Sequence, residues 1–567
     1  MTDIKQRFET LYGEDISPKI VSQYENLIAK YQNLIGQSKE IKPKWNEKDI
    51  ILITYADMVN NTGEKTLKTL HNWLKNRLND TTNIVHFLPF FPSTSDGGFA
   101  VSDYKTINPE FGNWEDVANI KSDFDLMFDF VINHCSASHF WFKEYLKSNS
   151  PYTEYFIEAS PDDERLKKVT RARSHPLLTP FMTANGEKFL WTTFSTDQID
   201  VNFKNPDVLL AYLDILLFYV SKGMRIVRLD ALHCCYKELG TSCMSLPQTH
   251  EVCKILRDTV HKVAPSVIVL TETNLPHEEN ISYFGNGDEA EMVYQFALPP
   301  LILYALTFED ASLLSLWAKG LDKIPQDCTF LNFTASHDGI GVRALEKLAP
   351  PDKFKELISV MEAKGAKINT RQQQDGSHTP YEICTTYFDA FSEDKNNVTS
   401  KQIKKFLCSQ CIPLSLAGIP AFYFHSFTSC SNNYEGLSKT NHNRDLNRYK
   451  WQLNELDNHL NSGYGKQIFE TLKNLIILRK QTPEFHPDAK MEIVDLDKSL
   501  FIVKRENSAG QKIIAIHNVS EKTINFNLAK IDAKVVSIIN PLNNQKIDPS
   551  NSILTLNDFD VYWIKIS

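Results

Sequence analysis

The stretch Ile226-Val227-Arg228-Leu229-Asp230-Ala231 is a short apolar run that closes on an acid. It is too brief for a buried helix and reads as a strand covered on both faces, as in a parallel sheet. Arg228 and Asp230 stand two residues apart, so they share one face of that strand. Seven more runs have the same character, at 51–55, 84–88, 126–132, 267–271, 292–296, 329–333 and 421–424, and with 225–229 they make eight. Longer helical patterns separate them. Eight buried strands alternating with helices predict an α/β chain folded as a (β/α)8 TIM barrel, because each strand needs a helix outside it while its inward side chains fill the core.

Two spacings exceed one helix and two short loops, 133–224 and 339–420. They predict inserted lobes, at about 135–222 and 345–400, standing over the catalytic face. Residues 1–48 carry Ile20, Val21, Tyr24, Leu27, Ile28 and Tyr31 at helical spacing and end at Lys42-Pro43-Lys44, which predicts a helical N-terminal extension. The barrel with its lobes then occupies 49–486. From 487 to 567 short alternating segments separated by Asn, Asp, Ser and Lys predict a small antiparallel β domain.

With 61 basic and 70 acidic residues the net charge is −9, and no basic block occurs, so neither nucleic acid nor an anionic membrane is an expected partner. The apolar stretch 412–424 is broken by Pro413 and Pro420 and is too short to span a bilayer. The N-terminus lacks the apolar core of a secretory signal, and ten scattered cysteines suit a reducing compartment, so a cytoplasmic location is expected for a monomer or homodimer. Cys408 and Cys411 form a lone Cys-x-x-Cys in an apolar segment and read as buried thiols. The cluster His233, Cys234, Cys235, Cys243, His250 and Cys253 fits no zinc spacing, so no metal is expected.

In a barrel, side chains at the carboxyl ends of the strands converge on one mouth. Four runs end on polar groups: Asp129 to Asn133-His134, Arg228-Leu229-Asp230, Thr271-Glu272 and Ser336-His337-Asp338. Asp230, Glu272 and Asp338 therefore surround a common point, an arrangement suited to cleaving a sugar with retention. One carboxylate attacks the anomeric carbon while another, kept protonated, supplies the leaving oxygen with a proton. Arg228 beside Asp230 is expected to hold the nucleophile ionised, and the apolar strand before Glu272 to raise that acid. Asp338 would stabilise the cationic transition state, with His134 and His337 donating hydrogen bonds to the sugar.

These motifs resemble those of the α-amylase family. Within it, Leu88-Pro89-Phe90-Phe91, Ser95-Asp96-Gly97-Gly98-Phe99, Asp197-Gln198-Ile199-Asp200 and Asn443-Arg444-Asp445-Leu446-Asn447-Arg448 resemble the sucrose phosphorylase-like subfamily. The resemblance runs almost end to end with its glucosylglycerate phosphorylases, through Gly240-Thr241-Ser242-Cys243 and Thr271-Glu272-Thr273-Asn274-Leu275-Pro276. It implies Asp230 as nucleophile, Glu272 as acid/base and Asp338 as transition-state stabiliser. It also implies that Asp96 and Arg448 close the far side of a glucose pocket, with Phe99 as an aromatic platform and Gln198 nearby. The implied substrates are a small α-glucoside and inorganic phosphate, with no cofactor; glucosylglycerate is favoured over sucrose, its phosphate ester or glucosylglycerol.

Phosphorolysis asks for a cation where the incoming dianion meets a mouth lined with carboxylates. Arg173, with Arg171 second, matches the subfamily's arginine-bearing loop, and Tyr381 and Glu382 resemble its mobile loop serving acceptor and phosphate in turn. The chain departs from the pattern at His233-Cys234-Cys235, at Ser245 in place of a usual histidine, and at Ala172 and His175. These departures fall where the leaving group should sit. A hydrolase or transglucosylase with the same triad is the alternative, and a carbohydrate-binding relative without catalysis a second.

Overall fold

The computed structural model describes residues 4–14, 16, 18–36, 44–171, 173–321, 324–346, 348–372, 376–394, 396–531 and 533–567; the Lys42-Pro43 break and Ala172 lie outside them. Eight parallel strands close into a barrel: β1 (Ile51–Thr54), β2 (Ile84–Phe87), β3 (Asp125–Val131), β4 (Met224–Asp230), β5 (Ile268–Thr271), β6 (Met292–Tyr294), β7 (Thr329–Phe333) and β8 (Ile419–Tyr423). Closure comes from β1, which pairs with β2 on one side and β8 on the other. Most residues of these strands are buried, as a sheet wrapped by helices requires. All eight apolar runs of the sequence are barrel strands.

The two long connections leave the barrel at the ends of β3 and β7. After β3, the segment His134–Ser136 pairs antiparallel with Gln198–Asp200, which returns the chain to the barrel mouth beside His134. Between them stands the hairpin Leu178–Thr183 with Gly186–Trp191. After β7, a small sheet forms from Ile340–Gly341, His378–Cys384 and Lys367–Gln372, with Gly341 opposite Glu382. That register brings a distant strand against the residues that follow Asp338.

Two helices precede the barrel, α1 (Ile4–Tyr12) and α2 (Pro18–Ile35), and pack on its outer helices. Arg7 Nε donates to Asp258 Oδ2 at 2.8 Å, and the Tyr31 hydroxyl donates to the Asp214 carbonyl at 3.0 Å. At the other end, β9 (Lys490–Ile493), β10 (Leu500–Glu506), β11 (Lys512–Asn518), β12 (Val535–Asn540), β13 (Gln545–Ile547) and β14 (Val561–Ile566) form a sheet in the order β9-β10-β11-β14-β12-β13. Every pairing in it is antiparallel. Buried Arg505 ties this sheet to the barrel by donating to the carbonyls of Ser415, His486 and Ala489. Among the described residues no helix is long and apolar enough to cross a membrane.

Candidate active site

Asp129 and Arg228 are register partners across β3 and β4, so the Arg228 guanidinium lies between Asp129 and the acid that ends its own strand. Arg228 donates to Asp129 and, through Nη1, to Asp230 Oδ1 at 2.9 Å; its Nη2 lies 3.7 Å from Glu272 Oε1. Glu272 follows Thr271, which pairs with Leu229, so the two acids leave neighbouring strands at one level. Ala231 bends the chain after Asp230 in the left-handed region, φ +49°, and its N–H donates to Glu272 Oε2 at 2.9 Å. A backbone conformation disfavoured for a residue with a Cβ is held here by the contact it makes.

Asp338 is fixed from the opposite side. Arg444 pairs with it directly, Arg448 Nη2 stands 3.8 Å away, and His337 Nε2 lies 3.4 Å from its Oδ1. Arg448 also donates to the His337 carbonyl at 3.0 Å and approaches Asp96 at 3.5 Å. Gly97, at φ +58°, makes this possible: a Cβ there would come within 2.8 Å of both Arg448 Nη1 and the Tyr55 hydroxyl. Phe99 stacks on His337 with ring centres 4.7 Å apart.

Of the thirteen residues expected at the site, ten line one cavity: Asp96, Phe99, His134, Arg173, Gln198, Asp230, Glu272, His337, Asp338 and Tyr381. The other three stand behind its wall. Arg228 and Arg448 hold the lining carboxylates, and Glu382 is buried, accepting from Arg444 Nη2 at 2.8 Å and from Asn369 Nδ2 at 2.7 Å. Glu382 is thus committed to Arg444 in this conformation instead of facing the cavity. Arg173 lies over the rings of Tyr381 and Phe194, at 5.1 and 5.3 Å.

Burial raises Asp230 well above the ordinary aspartate range; Arg228 opposes this, while Glu272, Asp129 and Asp338 add to it. Arg228 therefore does not by itself keep Asp230 ionised, contrary to the expectation from sequence, because its one charge is shared among three carboxylates. Glu272 is also raised, by burial and Asp338, against Arg228 and the Ala231 N–H. Asp338 behaves oppositely. Burial would raise it, but Arg444, then Arg448, Arg228 and Arg173, hold it below the usual carboxylate range.

Both histidines are neutral, and His134 differs from expectation in where its N–H goes. Burial, then Arg448 and Arg228, push His337 well below the ordinary imidazole value, and burial lowers His134. A neutral ring has one N–H to give. His134 Nε2 lies 3.1 Å from the Phe99 carbonyl and Asn133 Nδ2 lies 3.3 Å from Nδ1, so its donor is already used within the protein. Gln198 Nε2 stands 3.1 Å from His134 Nε2 and donates to Asp96 Oδ2 at 3.3 Å.

Arg343, Arg371, Phe194 and Met244 also line the cavity without a mark in the sequence, as do Asn274 and Arg444, which stand in motifs that did not place them there. Arg343 follows Ile340–Gly341 and Arg371 lies on Lys367–Gln372, both in the long connection after β7, so no strand-end signal marks them. The histidines of the cysteine and histidine cluster stand apart in role. His250 Nδ1 meets Glu289 at 2.7 Å and its ring stacks on Tyr283, the Tyr283 hydroxyl donates to Ser245 at 3.0 Å, and His233 lines the cavity.

A family model described as the alpha amylase catalytic domain matches residues 79–342. A glucosylglycerate phosphorylase of Escherichia coli (strain K12) is 38% identical, with 99% of each chain covered. Another from Allomeiothermus silvanus is 41% identical over 90% of this chain and 91% of the relative. The crystal structure of a sucrose 6F-phosphate phosphorylase from Thermoanaerobacter thermosaccharolyticum superposes with a TM-score of 0.74 at 25% identity, covering 90% of this chain and 98% of that one.

Proposed function

Because the chain belongs to the alpha-amylase family and matches a glycoside phosphorylase of it from end to end, we propose that it is a retaining α-glucoside phosphorylase. Its reaction converts 2-O-α-glucosylglycerate and phosphate into α-glucose 1-phosphate and glycerate. The observation that carries this reading is the meeting of Asp230 and Glu272 at one guanidinium inside a cavity that arginines also line.

Burial raises both acids and Glu272 raises Asp230 further, so the two titrate as a pair that shares a proton during the reaction. The attacking state has the anion on Asp230 and the proton on Glu272, and the closer approach of Arg228, hydrogen-bonded to Asp230 but 3.7 Å from Glu272, favours it against the burial that raises Asp230. An Asp230 oxygen attacks the anomeric carbon. The bond to glycerate breaks as the Glu272 proton passes to the leaving oxygen, giving a β-linked glucosyl-enzyme. A phosphate oxygen then attacks the same carbon, Glu272 takes back a proton, and Asp230 leaves. Two inversions restore the α configuration. Asp338, kept ionised by its arginines, faces the positive charge that develops at the ring.

Arg173 serves the incoming phosphate, and its charge reaches Asp96, Asp338 and Glu382, so it also moderates the acidity of the mouth. Phosphate acts as a substrate and no cofactor enters this scheme. All ten cysteines are buried free thiols, which supports a cytoplasmic location. Incubation with 2-O-α-glucosylglycerate, with and without phosphate, tests the function: α-glucose 1-phosphate and glycerate should appear in equal amounts and only with phosphate. Free glucose formed at the same rate in both would instead make this chain a hydrolase.

A further inference from the structure

The arginines around the cavity divide by partner. Arg228, Arg444 and Arg448 are matched to the carboxylates of the glucose-facing wall: Asp129 and Asp230, Asp338 and Glu382, Asp96 and Asp338. Arg343 and Arg371, from the connection after β7, are not. Arg343 Nη1 donates to a neutral acceptor, the Asn274 carbonyl, at 3.2 Å, and Arg371 Nη2 donates to Glu346, outside the cavity lining, at 3.0 Å. In both, Nε is buried without a hydrogen-bond partner among the described residues. A buried guanidinium N–H left unmet is costly, and the pair crowd each other. Burial and then Arg371 lower Arg343.

Their position is set by the acid/base. Asn274 lies two residues beyond Glu272, and Gly341 lets it pack there, since a Cβ at Gly341 would meet Asn274 Nδ2 at 2.6 Å. Arg343 follows Gly341 by two residues, so the segment that docks on the Glu272 loop also delivers the guanidinium. In a 2-O-glucosyl acid the carboxylate carbon is two bonds from the oxygen that Glu272 protonates. A guanidinium on Asn274, two residues from Glu272, and a second one lining the same cavity suit a planar carboxylate held near the oxygen that Glu272 protonates.

We propose that Arg343 and Arg371, with Asn274, form the subsite that grips the carboxylate of the acceptor and selects acids over neutral polyols. This rests on the function proposed above and names the residues behind its acceptor half. Phosphate is left to Arg173 on the first lobe.

The test is reverse synthesis from α-glucose 1-phosphate with glycerate, glycerol, fructose and fructose phosphate, using the full chain and R343Q, R371Q and R343K. R343Q and R371Q should raise KM for glycerate about tenfold or more and lower the glycerate-to-glycerol preference by a similar factor, with a much smaller change in kcat. R343K should recover part of the loss. Arsenolysis of glucose 1-phosphate, which needs no acceptor carboxylate, should fall far less than glycerate transfer and reports that each variant is folded. Equal losses with glycerate and glycerol would overturn the proposal, as would arsenolysis falling in step with glycerate transfer. Should the unaltered enzyme ignore glycerate yet take fructose phosphate, with R343Q abolishing that preference, the named acceptor falls while the anion subsite stands. A preference for neutral acceptors that no substitution moves would sink the subsite.

Discussion

The N–H of Ala231 donates to Glu272 Oε2 at 2.9 Å, so the residue that follows one carboxylate of the pair holds the other. Strand β4 thereby sets both acids at once. Asp230 ends it, and the left-handed bend at Ala231 turns the next amide toward β5.

Substitution should separate the two acids. Asp230→Ala removes the group that carries the glucosyl unit and should cost about 10⁵-fold or more in kcat, whereas Glu272→Gln should cost about 10²–10⁴-fold. With α-glucosyl fluoride, whose leaving group needs no proton, Glu272→Gln should keep most of its first-step rate. Steady-state and single-turnover rates check this; an equal deficit on both donors would remove Glu272 from the acid role.

The alkaline limb of the pH profile should belong to Glu272. Burial and Asp338 raise this acid, so kcat/KM should fall only as the pH rises through a value above that of an ordinary glutamate. Glu272→Gln should abolish that limb. A limb unchanged in the variant would assign it to another group.

Stability should respond to pH through buried neutral histidines. Burial lowers His233 to about 3, His425 to about 3 and His517 to about 4, against 6.5 for an ordinary histidine. The unfolded chain therefore binds more protons than the folded one below 6.5, so this share of stability is complete above that pH and is lost as the pH falls toward 3. Asp230 and Glu272, being raised, act with the opposite sign: their share is present at low pH and lost as the pH rises. Tm should drop between pH 7 and 5, and Asp230→Asn should have the higher Tm at pH 7, with the gap narrowing in acid. A Tm gap that widens in acid would contradict the raised carboxyl.

At Gly97 the backbone and the neighbours agree. An alanine there meets an unfavourable φ and a Cβ contact of 2.8 Å with Arg448 and Tyr55, so Gly97→Ala should displace Arg448 from Asp96. The glucoside KM should rise about tenfold with a lower Tm, a strain cost of about 1–3 kcal/mol. Unchanged KM would mean that the Asp96–Arg448 contact does not shape the glucose pocket.

Arg173→Ala should raise KM for phosphate more than KM for the glucoside, since Arg173 is placed among Asp96, Asp338 and Tyr381 without belonging to the carboxylate pair. Initial rates with each substrate varied in turn decide it, and equal rises in both would count against the role.

The barrel was legible because parallel strands buried on both faces leave continuous apolar runs, and the polar residues that end them, Asp230 and Glu272, declare the mouth. Arg371 was not legible, because it reaches the cavity through the pairing of Lys367–Gln372 with His378–Cys384, and neither was Arg343, which follows Ile340–Gly341 where that segment joins the same sheet; both contacts are made by short strands in a long connection. The protonation of the pair was half legible. An apolar strand before Glu272 signals a raised acid, but the sharing of Arg228 among Asp129, Asp230 and Glu272 depends on the β3–β4 register.

The claim on which the mechanism turns is that Asp230 becomes covalently glucosylated. Treating Glu272→Gln with α-glucosyl fluoride and mapping its peptides by mass spectrometry tests this directly, since the second step is slowed while the first proceeds. The account predicts one added glucosyl unit on the peptide containing Asp230, discharged by phosphate or arsenate. A protein that turns over the fluoride but carries no adduct, or carries it on another residue, would contradict it.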